Sequence, residues 1–241
     1  MTSLPRPVNG APLQIRARLD EIRQRIEQAA ARSGRDPKQV VLVGASKTVP
    51  PEVLADAIRF GLKDLGENRV QEAERKQLGL GGSASSVRWH MIGQLQRNKV
   101  KNAVQIFDVI HSLNGFELAE EISRRARLVY KVAHVLIEVN VSDEPTKAGI
   151  APENVEPLLE QVRKLPGLEL KGLMTIGRLV EQTEEARRDF AALRELRDRC
   201  ERSQGLKLPE LSMGMSGDFE VAIEEGATLV RVGTALFGMR S

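Results

Sequence analysis

Three short stretches carry the residues best placed to do chemistry. They are Gly44-Ala45-Ser46-Lys47-Thr48, Ser212-Met213-Gly214-Met215-Ser216-Gly217 and Arg231-Val232-Gly233-Thr234. A lysine that ends an apolar strand holds its ammonium in a partly desolvated place near other cations, which is expected to lower its pKa. A neutral amine attacks an aldehyde and forms a Schiff base. Taken alone, Lys47 is more simply a solvated lysine at a strand end. In the other two stretches the hydroxyls of Ser216 and Thr234 stand beside glycines where helices begin. Hydroxyls and backbone N–H groups at such starts hold anions. Singly, Ser216 is an N-cap and Gly233 a turn. Together they favour a phosphate.

Composition narrows the field. The 241 residues are 41% hydrophobic and 29% charged, which suits an ordinary globular chain. The 36 basic and 33 acidic side chains leave a net charge of only +3. Aromatics make up 3%, too few for stacking on single-stranded nucleic acid, and no basic run suggests duplex binding. One cysteine, Cys200, excludes a disulfide framework and a cysteine-ligated zinc. His90, His111 and His134 show no HxH or HExxH spacing, so no metal site is expected. No apolar stretch is long enough for a bilayer, and MTSLPRPVNGAPLQ lacks a signal core. A cytoplasmic protein is the expectation.

The elements that must position these residues follow from periodicity. Residues 1–11 read as a frayed tail. Ile15, Leu19, Ile22, Ile26 and Ala29 mark an amphipathic helix over 13–32. Strands are predicted over 40–46, 63–68, 87–93, 108–113, 133–142, 168–177, 209–215 and from 228. Helices are predicted over 51–61, 70–77, 98–107, 115–127, 152–165, 181–201 and 217–226, with a flexible loop over 79–86. Such strict alternation implies a parallel sheet, and eight units in about 200 residues imply a single (β/α)8 barrel filling 1–241. An open doubly wound sheet is the alternative, weakened because no GxGxxG follows the first strand. The charges of 181–201 read as a solvated face with i,i+4 pairs, and Cys200 as a packed thiol.

Barrel enzymes work at the C-terminal strand ends, and their phosphate sites recur after strands seven and eight. Closure sets strand eight beside strand one, and hence Lys47 beside Ser216, Gly233 and Thr234. A reactive amine next to a phosphate pocket suits pyridoxal 5′-phosphate, which carries both an aldehyde and a phosphate. Arg231, two residues before Gly233, projects to the same side and could face the pyridine nitrogen. A permanent cation there keeps that nitrogen unprotonated and the ring a poor electron sink.

Here the sequence resembles the pyridoxal phosphate homeostasis protein family. The likeness runs from the first helix to Arg240, through GASKTVP (44–50), LGENRVQE (65–72), WHMIGQLQRNK (89–99), GLMTIG (172–177), LSMGMSGDFEVAIEEG (211–226) and VRVGTALFG (230–238). The resemblance implies an alanine-racemase-like barrel without the C-terminal β-domain, and the cofactor held as an aldimine on Lys47. It also implies Ser216, Gly233 and Thr234 at the phosphate, Arg231 at the ring nitrogen, and Asn68 and Met215 lining the pocket. Val49 and Arg69 depart from the family pattern, at positions with no expected cofactor contact.

Three functions compete. The first is a carrier that binds the cofactor reversibly and releases it to apo-enzymes. The second is a weak pyridoxal-phosphate-dependent amino-acid racemase. The third is a Schiff-base enzyme acting on a sugar phosphate. Two-base racemisation needs a second proton-transfer group, a tyrosine of an extra domain in alanine racemases. The only tyrosine here, Tyr130, is expected on the N-terminal face of the barrel. The carrier is therefore favoured, with no catalytic residue assigned. Lys147, on a rim loop, is either solvated or a second amine that receives the cofactor. His90 is read as a hydrogen-bonded wall residue or an acid/base, and Glu67 as a rim group. With no apolar stripe left over, a monomer is expected.

Overall fold

The computed structural model describes residues 11–142, 144, 147–178 and 183–238. Ala11 already belongs to the first helix, and the rest of the expected tail lies outside the described residues. Eight strands form the sheet: β1 Val41–Ala45, β2 Asp64–Glu67, β3 Arg88–Met91, β4 Val109–Leu113, β5 Ala133–Glu138, β6 Leu168–Met174, β7 Glu210–Ser212 and β8 Leu229–Val232. Each pairs in parallel with the next, and β8 pairs with β1, so the sheet closes. The predicted barrel is thus the observed one.

Around it stand α1 Ala11–Arg32, α2 Pro51–Arg59, α3 Val70–Leu80, α4 Val100–Ile106, α5 Phe116–Leu128, α6 Val155–Val162, α7 Arg187–Gln204, α8 Phe219–Glu224 and α9 Thr234–Phe237. Local chemistry sets their ends. Pro51 opens α2, where its missing N–H costs nothing. Gly205 ends α7 in the left-handed region at φ +60°.

The helix after β8 is a single turn, too short to cover its part of the barrel. α1 takes that place and packs against α2, α8 and α9. Ile15, Leu19, Ile22, Ile26, Ala29 and Ala30 are all buried, as the periodicity predicts. Burying each leucine or isoleucine stabilises by about 1.5–3 kcal/mol. Arg25 and Arg32 pair with Glu220 and Glu224 of α8, and the Arg35 guanidinium donates to the carbonyls of Ile223 and Ala227.

Several expectations need correction. The strand predicted over 133–142 stops at Glu138, because the chain folds back so that Gly149, at φ +104°, approaches the Asn140 backbone. The loop over 79–86 is wound into a 3-10 turn from Gly81 to Ser86. The helix predicted from 181 begins as a 3-10 turn at Thr183 and is α-helical from Arg187; residues 181 and 182 lie outside the described residues. Its charges do more than face solvent. Arg187 reaches Glu224 of α8 and Glu225 just past its end at 2.7 and 2.9 Å, and Arg194 reaches Glu225 at 2.8 Å. Cys200 is fully buried, and burial pushes its thiol up to about 11, as suits a packed group.

Two apolar layers result. A large one lies between strands and helices, and a small one inside the barrel holds Val43, Val109, Leu136, Met174 and Leu229. The remaining interior positions are largely polar. Because α1 replaces a missing outer helix, Leu19→Ala is expected to cost about 2–5 kcal/mol. Urea denaturation measures it; a loss below about 1 kcal/mol would show α1 to be a dispensable appendage.

Candidate active site

The predicted residues converge on one arc of the rim. In the β1–β8 ladder Val43 pairs with Arg231 and Gly44 with Val232, so Gly233 is level with Ala45. On the other side Ala45 pairs with Gly66, which brings Asn68 level with Lys47. The β7 and β8 turns are joined directly: the backbone N–H groups of Gly233 and Ala235 donate to Ser216 Oγ at 3.1 and 3.3 Å. That hydroxyl stands where an anion's oxygen would receive the same donors. Gly217 beside it has open space where a side chain would be. Thr234 is exposed at the same turn, and Met215 is half-buried.

Alternation points Val41, Val43 and Ala45 inward and sends Lys47 toward the mouth. Lys47 is exposed, not partly desolvated as expected, because β1 ends two residues earlier and the lysine stands above the last buried layer. It makes no ion pair or side-chain hydrogen bond among the described residues. A cavity of about 510 Å³ opens beside it, lined in part by Asn68, Arg69, Gln94 and Lys99.

Arg231 forms the floor, only 5% exposed. Its guanidinium donates to Ser212 Oγ at 2.5 Å and to the Thr175 carbonyl at 2.8 Å. Burial lowers its pKa to about 10 against the pull of Asp218 and Glu138, so it remains a cation at neutral pH. Glu138 ends β5 as a buried carboxylate and accepts from the Gln94 amide. Burial pushes it up, with Gln94 and Arg231 pulling it down. It is an inward carboxyl at a strand's C-terminal end that the sequence reading missed. Alternation along β5 could have found it.

The turn that carries Lys47 is held from outside the barrel. Thr48 sits at φ +64°, an unusual region for a β-branched residue. Its N–H donates to Glu72 Oε1 at 2.6 Å. Lys76 is buried behind it and donates to Glu72, Glu67 and the Ser46 carbonyl at 2.8, 2.6 and 2.6 Å. Ser46 Oγ adds a bond to Glu67 at 2.5 Å. Glu67 thus bonds a neighbouring strand-end group, Ser46, as expected, but it does so from the outer side, facing α3 and opposite to Lys47. Burial raises its pKa, with Lys76 and Ser46 acting against the rise. Burial also raises Glu72, but Lys76 and the Thr48 N–H outweigh it and leave the carboxyl low. The i,i+4 step between Glu72 and Lys76 was a legible hint to this cluster; its contact with Ser46 was not.

Lys147, Tyr130 and His90 occupy other parts of the barrel. Lys147 lies on the loop after β5, 3.0 Å from a Glu144 carboxylate oxygen. Tyr130 is 98% exposed between α5 and β5, at the N-terminal face and away from Lys47. His90 is a buried, hydrogen-bonded wall residue. Among the described residues no group of side chains could hold a metal, and no helix is long and apolar enough to cross a membrane.

A closed parallel barrel with a lysine just past β1 and hydroxyl-bearing turns joined after β7 and β8 defines a class. The chain matches "Alanine racemase, N-terminal domain" over residues 17–241. It is 51% identical to the pyridoxal phosphate homeostasis protein of Aquifex aeolicus, over 92% of this chain and 97% of that one. The Pseudomonas aeruginosa protein of the same name is 42% identical, over 91% and 93%. Among solved structures, PipY of Synechococcus elongatus with PLP bound superposes with a TM-score of 0.83 at 36% identity, over 93% of this chain and all of that one. Alanine racemase of Clostridium difficile shares the fold alone, with a TM-score of 0.74 at 15% identity, over 94% of this chain and 57% of that one. The chain belongs to the pyridoxal phosphate homeostasis protein family, within the alanine racemase N-terminal-domain barrels.

Lys76→Met leaves Glu67 and Glu72 without their cation, a loss expected to cost about 3–5 kcal/mol. The raised Glu67 carboxyl makes the folded state bind a proton more tightly than the unfolded chain, and without Lys76 that difference widens. Stability of the variant should therefore fall as pH rises above the ordinary carboxylate range. Denaturation midpoints from acid to mildly alkaline pH test this; a deficit that does not change with pH contradicts it.

Proposed function

We propose that this protein binds pyridoxal 5′-phosphate through Lys47 and serves cofactor homeostasis, holding the aldehyde reversibly and releasing it to apo-enzymes. The observation that carries this reading is the closed-barrel juxtaposition of exposed Lys47 with the Ser216–Gly233 turn contact and buried Arg231. The names of the relatives and the PLP-bound PipY structure support it.

Each residue would have a physical part. Lys47 would hold the cofactor through its aldehyde, whose reversible condensation with an amine is the chemistry the cofactor supplies when bound. Ser216, Thr234 and the N–H groups of Gly233 and Ala235 receive the phosphate by charge-assisted hydrogen bonds. Arg231 would face the ring nitrogen and, as a cation, would disfavour its protonation. The ring is then a weak electron sink, which suits storage better than carbanion chemistry. Asn68 and Met215 line the pocket. An exposed lysine at an open mouth admits water and competing amines, and so favours release. Lys147 serves, in this reading, as a receiving amine on the rim.

Mixing the protein with the cofactor is expected to give a visible Schiff-base band. Borohydride reduction and peptide mapping should then place the label on Lys47. Lys47→Ala should abolish the band, and Ser216→Ala should weaken binding by about tenfold or more, the worth of one charge-assisted bond. Label on another lysine, or an unchanged band in Lys47→Ala, sinks the reading. Transfer to an apo-enzyme and racemisation of alanine, measured on wild type, Lys47→Ala and Lys147→Ala, separate a carrier from a racemase. A carrier transfers without racemising, and transfer unaltered by Lys147→Ala removes that lysine's part.

A further inference from the structure

A chain of buried hydrogen bonds crosses the barrel beneath Arg231, and of its members only Arg231 enters the binding just proposed. Arg231 donates to Ser212 Oγ, which lies 2.9 Å from His111 Nδ1. His111 Nε2 lies 2.9 Å from His90 Nδ1, and His90 Nε2 lies 2.9 Å from Asp64 Oδ1. Arg88, half exposed at the far end, donates to the same Asp64 oxygen at 2.7 Å. His90, His111 and Ser212 are fully buried, and the two rings meet edge to face at 5.1 Å. The path runs from β2, β3 and β4 on one wall to β7 and β8 on the other.

Counting protons fixes its direction. A guanidinium only donates and an ionised carboxylate only accepts. Burial pushes the Asp64 carboxyl up, but His90 and Arg88 outweigh it and hold the group below its usual value, hence ionised. His90 must then carry its proton on Nε2. While His90 is neutral its Nδ1 accepts, so His111 donates from Nε2. A neutral His111 accepts at Nδ1, and only the Ser212 hydroxyl can supply that proton. The lone pairs of the hydroxyl are thereby turned to Arg231. One further proton on His90 reverses both steps: His90 Nδ1–H donates to His111, and His111 Nδ1–H donates to Ser212.

The charged groups facing the two rings are Asp64 from β2, Arg88 from β3, Glu210 from β7 and Arg231 from β8. Burial, then the charges of His90 and Arg231, keep His111 well below its ordinary value, so it stays neutral in either arrangement.

We propose that His90 and His111 are positioning residues: through Ser212 they hold the Arg231 guanidinium in one orientation toward the ring nitrogen of the cofactor. The proposal rests on the binding reading above but has a test independent of it. Imidazole ¹⁵N NMR on the cofactor-free chain at mildly alkaline pH is expected to show both rings as Nε2–H tautomers. Any other pairing overturns the relay.

A second measurement uses the loaded protein. His111→Leu is expected to weaken cofactor binding about tenfold, whereas His111→Gln, which can accept from Ser212 and donate to His90, should stay within about twofold. Equal losses in both variants would reduce the relay to packing. Should the leucine variant fail to fold, the tautomers and the glutamine variant still decide. A wild type that takes up no cofactor would defeat the binding reading alone, and the NMR result would stand apart from it.

Discussion

Pairing between β1 and β8 is the constraint on which the rest of this molecule depends. Those strands are separated by nearly the whole chain, yet their ladder sets Val43 opposite Arg231 and Gly44 opposite Val232. The Lys47 amine, the buried Arg231 cation and the joined Ser216–Gly233 turns thereby share one arc of rim. In an open sheet β1 and β8 would be free to lie at opposite edges, and the same residues would serve no common ligand. The closing ladder is itself sealed by α1, since α9 offers only one helical turn there.

Polar groups inside the barrel are organised around that arc on two sides. Outside the strands, Lys76, Glu67 and Glu72 fix the turn that aims Lys47. Inside them, Ser212 and Thr175 hold Arg231. Buried charges are costly when unpaired, and here each has a partner of opposite sign or a directed hydrogen bond. The mouth itself is different. Lys47 and Thr234 are left exposed, so the rigid parts lie beneath the rim and the reactive parts above it.

How much of this is legible in sequence varies by residue. Ser216 and Gly233 were readable because their positions relative to a strand end and a helix start already define a turn, and the Gly233 N–H indeed meets the Ser216 hydroxyl. Glu67 was legible as a strand-end group that bonds a neighbour, but its outward face was not, because a rim residue can face either side and a one-residue step decides which. Glu138 and His111 were passed over for a related reason. Their polarity stands out only once the inward face of each strand is known, and the strand's exact limits set that face.

The sequence by itself determined the order of elements, the buried face of α1, the barrel class and the residues able to bond an aldehyde and a phosphate. These follow from periodicity and side-chain chemistry, which act over a few residues and need no knowledge of distant neighbours. Only the tertiary structure decided that Lys76 reaches Ser46, that His111 meets Ser212 across 101 residues of chain, and that Lys47 stands exposed. Such contacts depend on register and on distances of about 3 Å, the range over which hydrogen bonds act. A linear string of residues does not encode that range without the folded backbone.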